Sequence, residues 1–262
     1  MPEGDTIHRA AARLRPALVD RTVVRVDVPR WAGPVPSPGE TVTAVRAEGK
    51  HLLVDFSGGL TVRTHLRMSG RWDVYAPGAR WRRSPGAARV VIEVPGAVAV
   101  CFSAPDVAVT RRDRVATAHL GPDLCTETVA IDEVVARARR LATPDTEVGE
   151  LLLDQRVAAG IGNVYKSDVC FLERVDPRTP VAALDAATLT ALYTRAHRLL
   201  RANLGTGPRR TVPEGLAVYG RAGRPCRRCR TPIERFVQGG TLPRSTYWCP
   251  RCQAGDTAPA PG

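Results

Sequence analysis

The sequence predicts an α+β fold. An N-terminal α-helix leads into an antiparallel β-sandwich or flattened barrel, followed by a helical domain and a small four-cysteine β-hairpin module. Three observations predict it. Eight short β-rich runs separated by turn signals fill residues 22 to about 113. From about residue 130 the apolar spacing becomes helical. Four of the seven cysteines fall as Cys226-x2-Cys229-x19-Cys249-x2-Cys252. The expected divisions are 1–121, 122–222, 223–253 and a disordered tail over 254–262.

The chain begins Met1-Pro2-Glu3-Gly4-Asp5, and methionine is normally trimmed before a residue as small as proline. A proline left at the N-terminus is a secondary amine, able to attack an aldehyde-like carbon and form a charged iminium. Glu3 supplies an acid and base beside it. Residues 6–19 place Ile7, Ala10, Leu14 and Leu18 at helical spacing, with Asp5 or Thr6 as N-cap and Pro16 ending or kinking the last turn.

The β-rich runs are TVVRVDV, ETVTAVRA, HLLVDF, LTVRTHL, RWDVYA, ARVVIEV, AVAVCFS and DVAVT. Ser57-Gly58-Gly59 and Pro95-Gly96 mark turns between them. Residues 77–87 (PGARWRRSPGA) read as a basic, mobile loop. Helical periodicity then runs through IDEVVARARRLA, TEVGELLLDQRVA, NVYKSDVCFLE and ALDAATLTALYTRAHRLLRANL. Between two of these segments, Gly160-Ile161-Gly162-Asn163 permits a tight turn whose backbone N–H groups can face an anion. Residues 204–216 form a Gly/Pro/Arg linker.

Two close cysteine pairs at this spacing match a tetrahedral zinc held by two knuckles. A closed four-thiolate site has no open position, so one Zn2+ is expected, structural and not catalytic. Cys101, Cys125 and Cys170 lie in apolar contexts and read as buried packing residues.

A net charge of +12 and a pI near 10.1 favour a polyanionic partner, with nucleic acid foremost. The last 62 residues hold 11 arginines against three acids, so the basic charge is concentrated there. Only Lys50 and Lys166 are lysines among 38 cationic residues. A compact ammonium suits a single phosphate contact or a place beside a reacting centre. No apolar run approaches the roughly 20 residues that span a bilayer, and no signal core opens the chain. The expected location is the cytoplasm.

Six segments now stand in order: MPEGD, EGKHLLV, HLRMSG, LLLDQRVAAGIGNVYKSD, VYGRAGRPCRRC and STYWCPRCQ. Together they resemble the formamidopyrimidine-DNA glycosylase and endonuclease VIII family of bifunctional base-excision repair enzymes over nearly the whole chain. The resemblance implies that Pro2 attacks C1′ of a damaged nucleotide and that Glu3 protonates and opens the sugar. β- and then δ-elimination would cleave the strand on both sides. It further implies that Lys50 lies near the lesion phosphate, and that Asn163, with Gly162 on a helix-two-turn-helix element, and Arg244 on the finger hairpin grip the flanking phosphates.

Met68, with Arg67 beside it, matches the segment that fills the gap left by an extruded base, although a core position at a strand end is also open to Met68. Lys166 has no fixed counterpart and is taken as a phosphate contact or a surface residue. Asp168 stands where many relatives have glutamate, and Asp5-Thr6 replace a common Pro-Glu pair.

The partner implied is damaged double-stranded DNA, with single-stranded or bubble DNA also open, engaged by a monomer. Only about Gly205 to Ala217 separates Leu204 from Val218-Tyr219-Gly220-Arg221, so the loop that caps oxidised purines in many relatives is short or absent. That favours oxidised pyrimidines. An enzyme preferring 8-oxoguanine or formamidopyrimidine, and a catalytically silent damaged-DNA-binding protein, are the alternatives; Pro2 and Glu3 argue against the second.

Overall fold

The computed structural model describes residues 2–240 and 243–254. The chain divides into two compact units, one ending at His119 and one beginning at Leu120. Met1, residues 241–242 and residues 255–262 lie outside the described residues.

In the first unit α1 spans Gly4–Leu18, and Ile7, Ala10, Ala11, Leu14 and Leu18 bury one face. The helix starts earlier than the expected cap at Asp5 or Thr6. Glu3 is the N-cap residue, and its carbonyl accepts from the N–H of Thr6 at 2.9 Å and of Ile7 at 3.2 Å. Pro16 neither ends nor breaks the helix. It sits in the last turn, where Val19 N–H still reaches the Arg15 carbonyl at 3.0 Å and Leu14 and Leu18 anchor the apolar face.

All eight β-rich runs form strands: β1 Arg25–Asp27, β2 Val42–Glu48, β3 His51–Phe56, β4 Leu60–His65, β5 Arg71–Tyr75, β6 Ala88–Val94, β7 Ala97–Phe102 and β8 Asp106–Arg111. They make two antiparallel four-stranded sheets, ordered β1-β6-β7-β5 and β2-β3-β4-β8. A single core takes side chains from both sheets and from α1, including Leu14, Val54, Val62, Trp72 and Ala99. Trp72 is buried without an orphaned donor, because its indole N–H reaches Thr64 Oγ1 at 3.0 Å.

Strand β7 is buried on both faces. Ala97, Ala99 and Cys101 join the main core; Val98, Val100 and Phe102 join a smaller cluster on the other side. Trp81 covers that smaller cluster, its ring 5.7 Å from Phe102 and 6.3 Å from Tyr75. Residues 77–87 are therefore folded back through an aromatic anchor, not the freely solvated loop expected. Arg80, Arg82 and Arg83 remain exposed. Covering a ring of this size contributes about 2 kcal/mol, which offsets the entropy of ordering one or two loop residues.

The second unit holds α2 Ile131–Leu141, α3 Val148–Leu151, α4 Asn163–Leu172, α5 Ala186–Ala202, the hairpin β9 Glu234–Gln238 with β10 Arg244–Trp248, and α6 Pro250–Gln253. Tyr165, Leu189, Leu192, Tyr193 and Ala196 fill its helical core. The helix expected over TEVGELLLDQRVA shrinks to the four residues of α3. Asp154 breaks it by accepting the Arg156 N–H at 2.9 Å on its side chain and the Val157 N–H at 3.0 Å on its carbonyl. Gln155 then staples the turn, donating to the Leu153 and Ile161 carbonyls at 2.7 and 3.1 Å and accepting from Gly160 N–H at 3.1 Å. Gly160, at φ +107°, is in a conformation that other residues rarely adopt.

The 204–216 segment is pinned at both ends. The Asn203 amide bonds the Leu199 and Arg210 carbonyls at 2.8 Å and accepts from Arg210 N–H at 2.8 Å. The Asp168 carboxylate takes the far end, accepting from the N–H groups of Ala217, Val218 and Tyr219 at 2.8, 3.0 and 2.8 Å and from the Thr211 hydroxyl. Burial pushes the Asp168 pKa up, and those four donors oppose it by stabilising the ionised form.

Candidate active site and phosphate grips

The residues nominated from the sequence fall into two groups, one in each unit. In the first unit Pro2 is half-buried and Glu3 is fully buried. As N-cap of α1, Glu3 is held by the helix that follows it, at the end where unpaired N–H groups favour a carboxylate. Lys50 is half-buried in the two-residue Gly49-Lys50 turn closing β2 and β3, where Glu48 pairs with His51. Gly49 has φ +57°, the glycine-first geometry of a tight hairpin.

Residues 66–70 form a rigid projection. Gly70 N–H returns to the Leu66 carbonyl at 2.8 Å, and a Cβ at Gly70 would lie 2.6 Å from that oxygen, so only glycine fits. Arg67 takes a left-handed conformation at φ +48°, and its N–H donates to His65 Nδ1 at 3.3 Å. Ser69 Oγ donates to the Ser103 carbonyl at 3.1 Å. The outcome is that Met68 stands 70% exposed, out of the core.

Two histidines belong to this neighbourhood and escaped the sequence reading. His51 and His65 are cross-strand partners on β3 and β4 with ring centroids 5.0 Å apart. Arg63 bridges His51 Nδ1 at 3.1 Å and Asp106 at 3.0 Å, and Arg67 lies 4.0 Å from Asp106. Burial, then the neighbouring positive groups, lowers both histidine pKa values to about 4. The β3–β4 register, countable from the Ser57-Gly58-Gly59 turn, was the signal that could have paired them.

In the second unit the hairpin brings the backbone next to Arg244 onto Asn163. Asn163 is the first residue of α4, after Gly162 as N-cap, and its Nδ2 donates at 2.6 Å to the carbonyl of Ser245, the residue after Arg244. Arg244 itself is exposed. Asn163 Oδ1 is buried and accepts no hydrogen bond among the described residues, so the amide is oriented by its donor side. Lys166 departs from expectation: it is fully buried and is neither a surface residue nor open to a phosphate. Its ammonium reaches Thr246 Oγ1 at 2.5 Å and Gln238 Oε1 at 3.5 Å, one on each strand of the hairpin.

The four cysteines converge, their sulfurs all within 4.8 Å of one another. Cys226 and Cys252 sulfurs are 3.9 Å apart, and those of Cys229 and Cys249 are 3.4 Å apart. A tetrahedron of Zn–S bonds near 2.3 Å has edges of about 3.8 Å, whereas a disulfide requires about 2.05 Å. The donor set thus fits zinc. Around it, Arg228 caps the end of α4 through the Phe171 and Leu172 carbonyls at 2.9 and 3.1 Å, and Gln253 ties Cys249 N–H to the Val175 carbonyl, each at 2.8 Å. No helix among the described residues is long and apolar enough to cross a membrane.

Comparison with known proteins agrees with this construction. Residues 1–106 match the formamidopyrimidine-DNA glycosylase N-terminal domain, 120–212 the formamidopyrimidine-DNA glycosylase H2TH domain, and 223–255 the zinc finger found in FPG and IleRS. The chain is 47% identical, over all of its length and 97% of the relative's, to probable endonuclease 8 2 of Streptomyces coelicolor. It is 38% identical to the DNA-(apurinic or apyrimidinic site) lyase Nei2 of Mycolicibacterium smegmatis, covering 97% of this chain and 99% of that one. The crystal structure of MutM (Fpg) from Thermus thermophilus superposes with a TM-score of 0.78 at 29% identity, over 97% of this chain and 99% of that one. The chain belongs to the formamidopyrimidine-DNA glycosylase and endonuclease 8 family of DNA-repair enzymes.

Proposed function

We propose that this enzyme is a base-excision DNA glycosylase and AP lyase that uses the Pro2 amine, freed by removal of Met1, as its nucleophile. The amine attacks C1′ of the damaged nucleotide and the bond from C1′ to the base breaks. Glu3 passes a proton to the ring oxygen as the sugar opens and the iminium forms. The iminium acidifies the C2′ proton, whose loss expels the 3′ phosphate; δ-elimination then expels the 5′ phosphate. Lys50, Asn163 and Arg244 hold backbone phosphates of damaged duplex DNA, and Met68 with Arg67 fills the vacated stack.

The observation that carries this reading is the fully buried Glu3, fixed as the N-cap of α1 immediately beside Pro2. A substrate preference for oxidised pyrimidines is supported by the 204–217 segment. Asn203, Thr211 and Asp168 bind it down, leaving little chain for a cap over a purine.

The test is borohydride trapping and strand nicking with the mature protein on duplexes carrying an abasic site, dihydrouracil, or 8-oxoguanine opposite cytosine. The mature enzyme should give a covalent adduct, and nick dihydrouracil faster than 8-oxoguanine. Glu3→Gln should slow base release by about 10²–10⁴-fold. No adduct would sink the iminium chemistry, and a preference for 8-oxoguanine would sink the lesion assignment alone.

A further inference from the structure

Lys166 is one of two lysines in an arginine-dominated chain, yet it is sealed inside the second unit. Burying an ammonium costs several kcal/mol unless its donors are matched, so a network must hold it. That network spans three elements. The Thr246 hydroxyl, which accepts from Lys166, donates onward to Gln238 Oε1 at 2.9 Å, and Gln238 Nε2 donates to Glu147 at 2.7 Å and to the Pro177 carbonyl at 2.8 Å. A Cβ at Gly149 would lie 2.4 Å from Gln238 Oε1, so a glycine at that position makes room for the amide.

The same helix face bonds three consecutive residues of β10. Asn163 holds the Ser245 carbonyl, Lys166 holds the Thr246 hydroxyl, and Ser167 Oγ accepts from Tyr247 N–H at 3.4 Å. Gln238, the other acceptor for Lys166, is the direct cross-strand partner of Arg244. A lysine suits this slot better than an arginine, since its compact head reaches two acceptors on neighbouring strands without needing room for a planar fork.

We propose that Lys166 is a positioning residue for DNA binding. By joining both strands of the finger hairpin to α4, it fixes Arg244 relative to Asn163, so that the two grip one stretch of backbone. The inference rests on the phosphate-grip reading of Arg244.

The experiment measures affinity and its salt dependence for a duplex carrying a tetrahydrofuran abasic analogue, with zinc content recorded for every variant. Arg244→Ala should weaken binding about tenfold to a hundredfold and lower the slope of log affinity against log salt by about one. Lys166→Met should reproduce both changes while keeping one zinc per chain. The double variant should be no weaker than Arg244→Ala alone, because a misplaced Arg244 has nothing further to lose. Thr246→Val, which removes the shared hydroxyl at constant volume, should act in the same direction and decides the matter if Lys166→Met sheds its zinc. Unchanged binding in Lys166→Met with zinc retained, unchanged binding in Thr246→Val, or additivity with Arg244→Ala would overturn the proposal. If Arg244→Ala itself binds normally, the phosphate grip fails instead.

Discussion

Glu3, His51 and His65 show how far a single side chain depends on its surroundings. Glu3 is charged by type and buried by position, and the start of α1 makes that placement tolerable. The histidines are ordinary by type, but burial holds them neutral well below their usual pKa of 6.5. Their folded values of about 4 mean that the unfolded chain takes up protons first as pH falls, so stability is complete above about pH 6.5 and is lost progressively toward pH 4. The groups facing them are Arg63, Arg67, Lys50, Asp106 and His119. Thermal unfolding should therefore show a midpoint that falls between pH 6.5 and pH 5, before most carboxylates titrate. His51→Gln should flatten that slope; a midpoint unchanged across this window would refute the account. Neither histidine stood out in the sequence, because their meaning lies in a cross-strand pairing.

Among elements, α4 carries the most. Its first residue holds the hairpin, its middle buries Lys166, and Asp168 on it gathers the backbone of residues 217–219. The periodicity of NVYKSDVCFLE announced a helix, but nine of its ten helical residues are buried, so no amphipathic stripe could reveal which polar residues face inward. Asp168→Ala should strand the N–H groups of Val218 and Tyr219, while Ala217 N–H keeps Thr211 Oγ1 at 3.0 Å, costing about 2 kcal/mol or more in urea unfolding. A loss below about 1 kcal/mol would mean that water replaces the carboxylate. At the other extreme, α3 fell short of its predicted length because Asp154 competes for backbone hydrogens, a local effect that apolar spacing does not register.

For the molecule as a whole, charge and the four-cysteine cluster make the largest statements. The concentration of arginine toward the C-terminus was plain in the sequence, and so was the zinc spacing. The finger has a small core around Cys226, Ile233 and Cys249, reinforced by Arg178 stacked 4.0 Å above Trp248 and 5.1 Å above Phe236. Such a core is too small to hold four thiolates together unaided, and structural zinc typically contributes about 10–16 kcal/mol. Chelation should remove one zinc per chain, unfold the hairpin in hydrogen exchange and abolish tight DNA binding, while the β-sandwich keeps its protection. Retained hairpin protection without metal would show that the fold does not need it.

The sequence by itself determined the β-rich segments, most of the helical ones, the four-cysteine cluster and the nominated nucleophile, because periodicity, turn chemistry and cysteine spacing are local in the chain. Tertiary structure alone decided that Met68 is presented outward, that Trp81 folds a basic loop back onto β7, and that His51 meets His65. It also turned Lys166 from an expected phosphate contact into a buried tie. Those outcomes depend on which residues meet across strands and between elements. A hydrogen bond between positions 166 and 246 is set by packing, and no pattern within either segment encodes it.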